Sequence, residues 1–197
     1  MSEPTPLLPP LKPKQVQARL WHNGAFVADD WHWITDDEPM GVRARVIVSL
    51  DRWRKEQPTI VSTGVAVGVK LDAGQSIDVE TDGVSRLGVI VLPFPKFSDG
   101  RSYSAARQLR DAGYRGELRA TGDVLLDQLP LMVRTGFDAF EITNAATIAA
   151  LERGEFPAVP LVYQAGAAIG AYGRAFRARR EASRNPKKAR LELSAAS

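Results

Sequence analysis

From Arg45 onward, short apolar and β-branched runs alternate with segments whose apolar residues recur at helical spacing. Val46-Ile47-Val48-Ser49-Leu50 predicts a strand, followed by a polar helix near residues 51–57 with Asp51 as its N-cap. Residues 65–71 predict a second strand and residues 89–94 a third, which is apolar on both faces and therefore expected between layers. Residues 102–112 predict a helix, with Tyr103, Ala106 and Leu109 on one side and Gly113 just past its end. Residues 117–121 form the fourth expected strand. Asp123 is positioned to cap the next helix, which ends at Gly136, and Pro130 demands either a kink there or a fresh start at Asp127. Residues 137–142 predict a fifth strand, and Asn144 caps a helix running through Ile148 and Leu151 to Arg153, closed by Gly154. A closing strand near residues 159–163 completes the pattern.

Strands separated by helices imply right-handed crossovers, so the fold class is α/β with a mostly parallel sheet built from repeated βα units. Five or six such units fall short of a complete eight-fold barrel, which takes about 250 residues. The expected architecture is an open doubly wound sheet, with an incomplete TIM-like barrel as the alternative. Ahead of the repeat, residues 1–19 hold Pro4, Pro6, Pro9, Pro10 and Pro13, a density that predicts an extended, disordered leader. Residues 20–40 carry Trp21, Trp31 and Trp33; Asn23-Gly24 predicts a short hairpin, and Trp31 and Trp33 fall on one strand face at period two. The chain thus divides into a leader (1–19), one α/β domain (20–166) and a basic, flexible tail (167–197). Residues 167–184 could form a helix with Ile169, Tyr172 and Phe176 along one side.

Charge sharpens this division. The 197 residues carry a net charge of +3, but residues 174–197 alone hold eight basic residues against two acidic ones. Residues 20–173 hold 15 basic and 20 acidic residues, a net of −5. The basic isoelectric point belongs to the ends, so a nucleic-acid role for the domain itself is disfavoured; RNA binding through the tail would be strongly salt-dependent and would vanish on removal of the residues after Gly173. The absence of cysteine excludes disulfides, thiolate-held clusters and a catalytic thiol in this chain. No stretch is apolar enough to span a bilayer and the opening lacks the apolar core of a secretory signal, so the expected location is the cytoplasm. His22 and His32, both beside tryptophans, lack ligand spacing and are read as packing or surface residues.

In parallel α/β folds ligands sit outside the carboxyl ends of the strands. That rule selects the loops after the third, fourth and fifth strands. The first concentrates Lys96, Asp99, Arg101, Ser102 and Ser104 just before a helix N-terminus, with Arg107 one turn further on. Free amides and cations there favour an anion such as phosphate, sulfate, sulfite or a carboxylate. The same residues also read as an ordinary turn at Asp99-Gly100, a serine N-cap and an Arg101 paired with Asp99 or Asp123, and the two readings stand side by side. Inside the strands, Arg119 and Glu141 alternate with apolar neighbours and are expected to pair with each other or to wall a polar pocket, which Asp123 and Gln128 would extend. Acid–base chemistry would rest on Asp99, Asp123, Lys96 or Tyr103. Dinucleotide and P-loop fingerprints and the G-x-S-x-G elbow are absent.

The run LPFPKFSDGRSYSAARQLRDAGYRGELRATGDVLLDQLPLMVRTGFDAFEI, with the earlier DDW, DDEP and VIVSLDRWR, resembles the bacterial family known as domain of unknown function 934. The motifs F-x-K-F-x-D-G-R-x-Y-S, G-E-L-R-A-x-G-D and G-F-D-A-F-E carry the resemblance, which spans residues 29–164. Members are described as oxidoreductases involved in sulfite reduction. The resemblance implies an accessory role in sulfate assimilation beside the sulfite reductase hemoprotein or phosphoadenylylsulfate reductase. Its motif positions include Lys96, Asp99, Arg101, Ser104, Arg119, Gly122, Asp123 and Gln128; with Arg107, these are the residues on which the rim chemistry places anion or substrate binding. The alternative the resemblance implies is an oxidoreductase, or another enzyme acting on a small anionic substrate. The cofactor is left unknown, with a flavin or an external electron carrier open, and no metal is implied.

Overall fold

The structure, a computed structural model, describes residues 15–41, 43–96 and 99–157. Eight strands and four α-helices follow one another there: β1 (Gln15–His22), β2 (Ala25–Val27), β3 (His32–Trp33), β4 (Arg45–Ser49), α1 (Leu50–Ser62), β5 (Ala66–Lys70), β6 (Val89–Phe94), α2 (Arg101–Asp111), β7 (Glu117–Gly122), α3 (Leu129–Thr135), β8 (Ala139–Asn144) and α4 (Ala145–Glu152). The expected hairpin forms at Asn23-Gly24, whose φ values of 51° and 79° are both left-handed, as a two-residue turn matching the twist of its strands requires. Asn144 caps α4 by accepting from the Thr147 amide, and Gly113, Gly136 and Gly154 end helices with positive φ.

The strand order is β2-β1-β8-β7-β6-β5-β4-β3. From β3 to β8 each strand lies parallel beside its predecessor, without the reversal of a doubly wound sheet. Successive right-handed crossovers therefore all move the same way and keep the helices on one face. The doubly wound expectation is corrected in favour of its alternative, a curled, incomplete barrel. The chain itself requires the curl. Val27 and His32 lie on the two edge strands; five Cα steps reach at most ~19 Å, whereas eight strands laid flat would separate the edges by roughly 34 Å.

Alternation sorts the side chains of this arc. Val46, Val48, Val67, Val69, Ile90, Leu92, Leu118, Ala120, Phe140 and Ile142 face the helices and join one core with Trp53, Leu109 and Met132. On the concave face Ile47, Val89 and Val91 form a second, small cluster covered by Trp31. The third expected strand is thus apolar on both faces because both are covered.

Four local expectations give way. Residues 15–19 do not belong to an extended leader, because the proline-free stretch Gln15–His22 pairs antiparallel with β8; residues 1–14 lie outside the described ones. Ser49 rather than Asp51 caps α1, its Oγ accepting from the Arg52 amide, and the helix continues past Pro58 to Ser62. β3 is two residues long and excludes Trp31, so the two tryptophans do not share a strand, although both lie on the concave side of the sheet. Asp123 begins no helix; the chain passes through a 3-10 turn at Leu126–Gln128 before α3, with Pro130 in its first turn. The expected strand at residues 159–163, the helix at 167–184 and the tail lie outside the described residues. Among the described residues no helix is long and apolar enough to cross a membrane.

Candidate functional site

β6 delivers its carboxyl end into the loop that carries Lys96, Asp99 and Arg101. Arg101 turns back on Asp99 with two parallel bonds, Nε to Oδ1 at 3.0 Å and Nη2 to Oδ2 at 2.6 Å. This fork uses the bidentate geometry that an anion would need. Neither serine caps α2. Gly100 occupies that position, and the buried Ser102 donates its Oγ proton to the Pro93 carbonyl at 2.5 Å. Lys96 is exposed, and Arg107 pairs with Asp111 one turn along α2.

Arg101, Asp99, Ser102 and Ser104 line a cleft of about 600 Å³ between α2 and the segment that follows β5. That segment contributes Asp72, Asp78 and Glu80, so four carboxylates and one arginine, itself already paired, line the cleft. Asp78 is committed to its own turn: its Oδ1 accepts from the Glu80 and Thr81 amides and from the Thr81 hydroxyl, which holds its carboxyl below the usual range. The Arg101 side-chain and amide hydrogen bonds lower the Asp99 carboxyl to about 2. A group whose pKa is depressed on folding contributes stability above its unfolded value and loses it as pH falls through the folded one, here from about 4 to about 2. Carboxyl-detected NMR titration should place Asp99 near the lower value in the intact protein and raise it toward, but not to, the ordinary aspartate value in Arg101→Ala, which keeps the amide bond.

The remaining sequence-selected residues are not brought together there. Gly122 ends β7 with φ +99°, and a Cβ on it would stand 2.4 Å from the Phe94 carbonyl oxygen, so the glycine serves a close strand approach. The Asp123 amide donates to Phe94 at 2.8 Å, and Gln128 Oε1 accepts from the Leu125 amide, closing the 3-10 turn. Tyr103 packs edge-on against Phe94, and burial pushes its phenol up.

Arg119 is fully buried on the concave face and does not pair with Glu141. It binds Asp29 through two bonds of 2.6 and 3.0 Å and Glu117 through one of 2.8 Å. Burial works to lower its pKa, but the Asp29 hydrogen bond and the Glu117 charge outweigh it and hold the guanidinium charged. Asp29 lies in the short segment between β2 and β3, which crosses the concave face and seats Trp31 on Ile47, Val89 and Val91. A Cβ on Gly88 would come within 2.7 Å of the Trp31 ring, so glycine makes room for it.

Glu141 and Thr143 of β8 share the concave face with Thr121 and Lys70. The Glu141 Oε2 atom is buried and meets no donor among the described residues, a condition that costs about 1–3 kcal/mol. Lys70 sets its Nζ 5.2 Å from the centre of the Trp33 ring. The sequence reading missed Lys70 and Trp33 as site residues. The inward lysine was signalled by the alternation Ala66, Gly68, Lys70; the Asp29–Arg119 pair, 90 residues apart, had no local signal.

A family model described as "Bacterial protein of unknown function (DUF934)" matches residues 68–170, more than half of the chain. The matched region takes in β6 to β8, the cleft loop and α4. No curated protein matches the chain.

Proposed function

The chain belongs to the DUF934 family, and from that premise we propose that it is an accessory protein of sulfite reduction that docks a sulfite reductase through the rim at the carboxyl ends of its strands. The observation that carries the docking reading is the cleft whose lining holds Asp72, Asp78, Glu80 and Asp99 and a single cation, Arg101, which Asp99 pairs. A small free anion finds no net positive field there, because Asp99 neutralises the one cation and three more carboxylates repel it. A protein surface presenting lysines and arginines is attracted by the same arrangement, and such complementarity mainly sets association rate and specificity. The sulfur assignment rests on the family resemblance of the F-x-K-F-x-D-G-R-x-Y-S, G-E-L-R-A-x-G-D and G-F-D-A-F-E motifs.

The test is direct binding of purified protein to the sulfite reductase hemoprotein, with phosphoadenylylsulfate reductase as the second arm. Binding to the hemoprotein is expected to weaken several-fold between 50 and 300 mM salt as exposed charges are screened, and at least tenfold in the double variant Asp72→Lys, Glu80→Lys. Binding only to the second reductase would move the docking role to that partner. No binding to either, together with normal growth of a deletion strain on sulfate or sulfite, would overturn the proposal.

A further inference from the structure

The concave face is filled unevenly along the strands. Near their amino ends Ile47, Val89 and Val91 lie beneath Trp31, and Arg119 is held by Asp29 and Glu117. Toward the carboxyl ends the same face stays partly open: Lys70, Thr121, Glu141 and Thr143 are only partly buried, and Trp33 is 40% exposed. Their neighbours on the helix-covered side, Val69, Ala120, Phe140 and Ile142, are fully buried. The opening therefore belongs to one face and one end of the arc, the end at which barrel-like parallel sheets hold their ligands.

Two opposite charges in this opening have no ionic partner among the described residues. Lys70 makes only its contact with the Trp33 ring, and Glu141 keeps a buried oxygen without a donor. They stand on β5 and β8 with two strands between them and Glu141 two residues beyond the register of Lys70, roughly 16 Å apart along the sheet, so they do not satisfy each other. A buried acceptor without a donor is rare in folded proteins and calls for a reason; a ligand that supplies the donor is one, and an unpaired ammonium on the same face gives that ligand its second contact.

We propose that the open part of the concave face binds a small zwitterion, with its ammonium on Glu141, its acidic group on Lys70, and the hydroxyls of Thr121 and Thr143 along the same face. The site is separate from the acidic cleft outside the sheet, and binding here is independent of reductase docking. The probes are β-alanine, 4-aminobutyrate and 5-aminovalerate, zwitterions of increasing span, with propionate and propylamine as single-charge controls. In NMR titrations of the full chain, at least one zwitterion is expected to shift the amide signals of β5 and β8 at concentrations at least tenfold below either control. Glu141→Gln and Lys70→Met should each weaken that response at least tenfold. Without ligand, Glu141→Gln should melt at or above the temperature of the unsubstituted protein, because an amide is easier to bury than a carboxylate; a purely structural Glu141 would lower it. Should Glu141→Gln fail to fold, Lys70→Met at a partly exposed strand end still reads the site. Equal response to zwitterions and controls, no response to any probe, or zwitterion binding that survives both substitutions would overturn the proposal.

Discussion

Replacement of Arg119 by leucine is expected to cost about 3–5 kcal/mol of folding stability, the range seen when one partner of a buried ion pair is removed. The guanidinium has no exposed surface, and without it Asp29 and Glu117 would face each other as like charges at the base of the arc. Asp29→Asn should cost less, about 1–3 kcal/mol, because Glu117 still compensates the arginine and Asp29 is 31% exposed. Urea unfolding of both single variants and of the double variant closes a cycle that isolates the coupling. The same experiment reports on the β2–β3 segment. Asp29 and Trp31 attach it to the concave face beside the exposed Asp30–Arg45 pair, so loss of Arg119 should also raise the accessibility of Trp31 to a fluorescence quencher. Equal stability of Arg119→Leu and the unsubstituted protein would mean that packing alone holds the segment.

The second large effect is expected at Arg110. This side chain leaves α2 and donates to three backbone carbonyls, those of Gly136 (2.9 Å), Tyr114 (2.9 Å) and Gly116 (2.8 Å), while pairing with Asp138. It thereby ties together the ends of α2 and α3 and the turns that lead into β7 and β8. Arg110→Ala removes every one of these bonds and leaves a mostly buried carboxylate without its cation, a change worth about 3–5 kcal/mol. The loss should depend on pH. Burial pushes the Asp138 carboxyl above its ordinary value, while the Arg110 charge and the Leu118 amide pull it down. The folded state therefore holds the Asp138 proton more tightly than the unfolded chain does, and the folded protein loses stability as pH rises from about 4 toward the raised folded value. Without Arg110 that window widens upward. The deficit of Arg110→Ala, measured by thermal unfolding, should be smallest near pH 4 and grow toward neutrality; a deficit independent of pH would remove Asp138 from the explanation.

These two arginines also mark where sequence reading reaches its limit. Arg119 was visible as a charge inside a strand, and its alternation with Leu118 and Ala120 set it on the same face as Glu141, which proves to be the face away from the helices. Its partner was not visible. Glu141, two positions along the same face of the neighbouring strand, was the nearest candidate in the local pattern, but Arg119 lies opposite Ala139 in the register, and the carboxylates come from Glu117 on its own strand and from Asp29 on the crossing segment. The loop after β6 divided in a similar way. Its charges and its place beside a helix start were legible, whereas the fork between Asp99 and Arg101, which turns a basic loop into part of an acidic cleft, depended on how the chain folds back. Gly122 and Gln128 looked like site residues in the motif; their contacts place one at a close strand crossing and the other inside a 3-10 turn.

What the sequence by itself determined is everything that nearest neighbours along the chain control. Alternation and β-branching set the strands β4 to β8, the Asn144 cap and the glycines after α2, α3 and α4 set helix limits, and Asn23-Gly24 set the hairpin, because capping and turn energies act over a few residues. The uneven charge, a net of −5 over residues 20–173 and basic ends, was equally plain. Tertiary structure alone decided that the sheet curls instead of winding both ways, that a five-step connection crosses its concave face, and that Lys70 and Glu141 share that face without ionic partners among the described residues. Those outcomes follow from closing long loops and from which buried charges can reach each other, neither of which has a period along the chain.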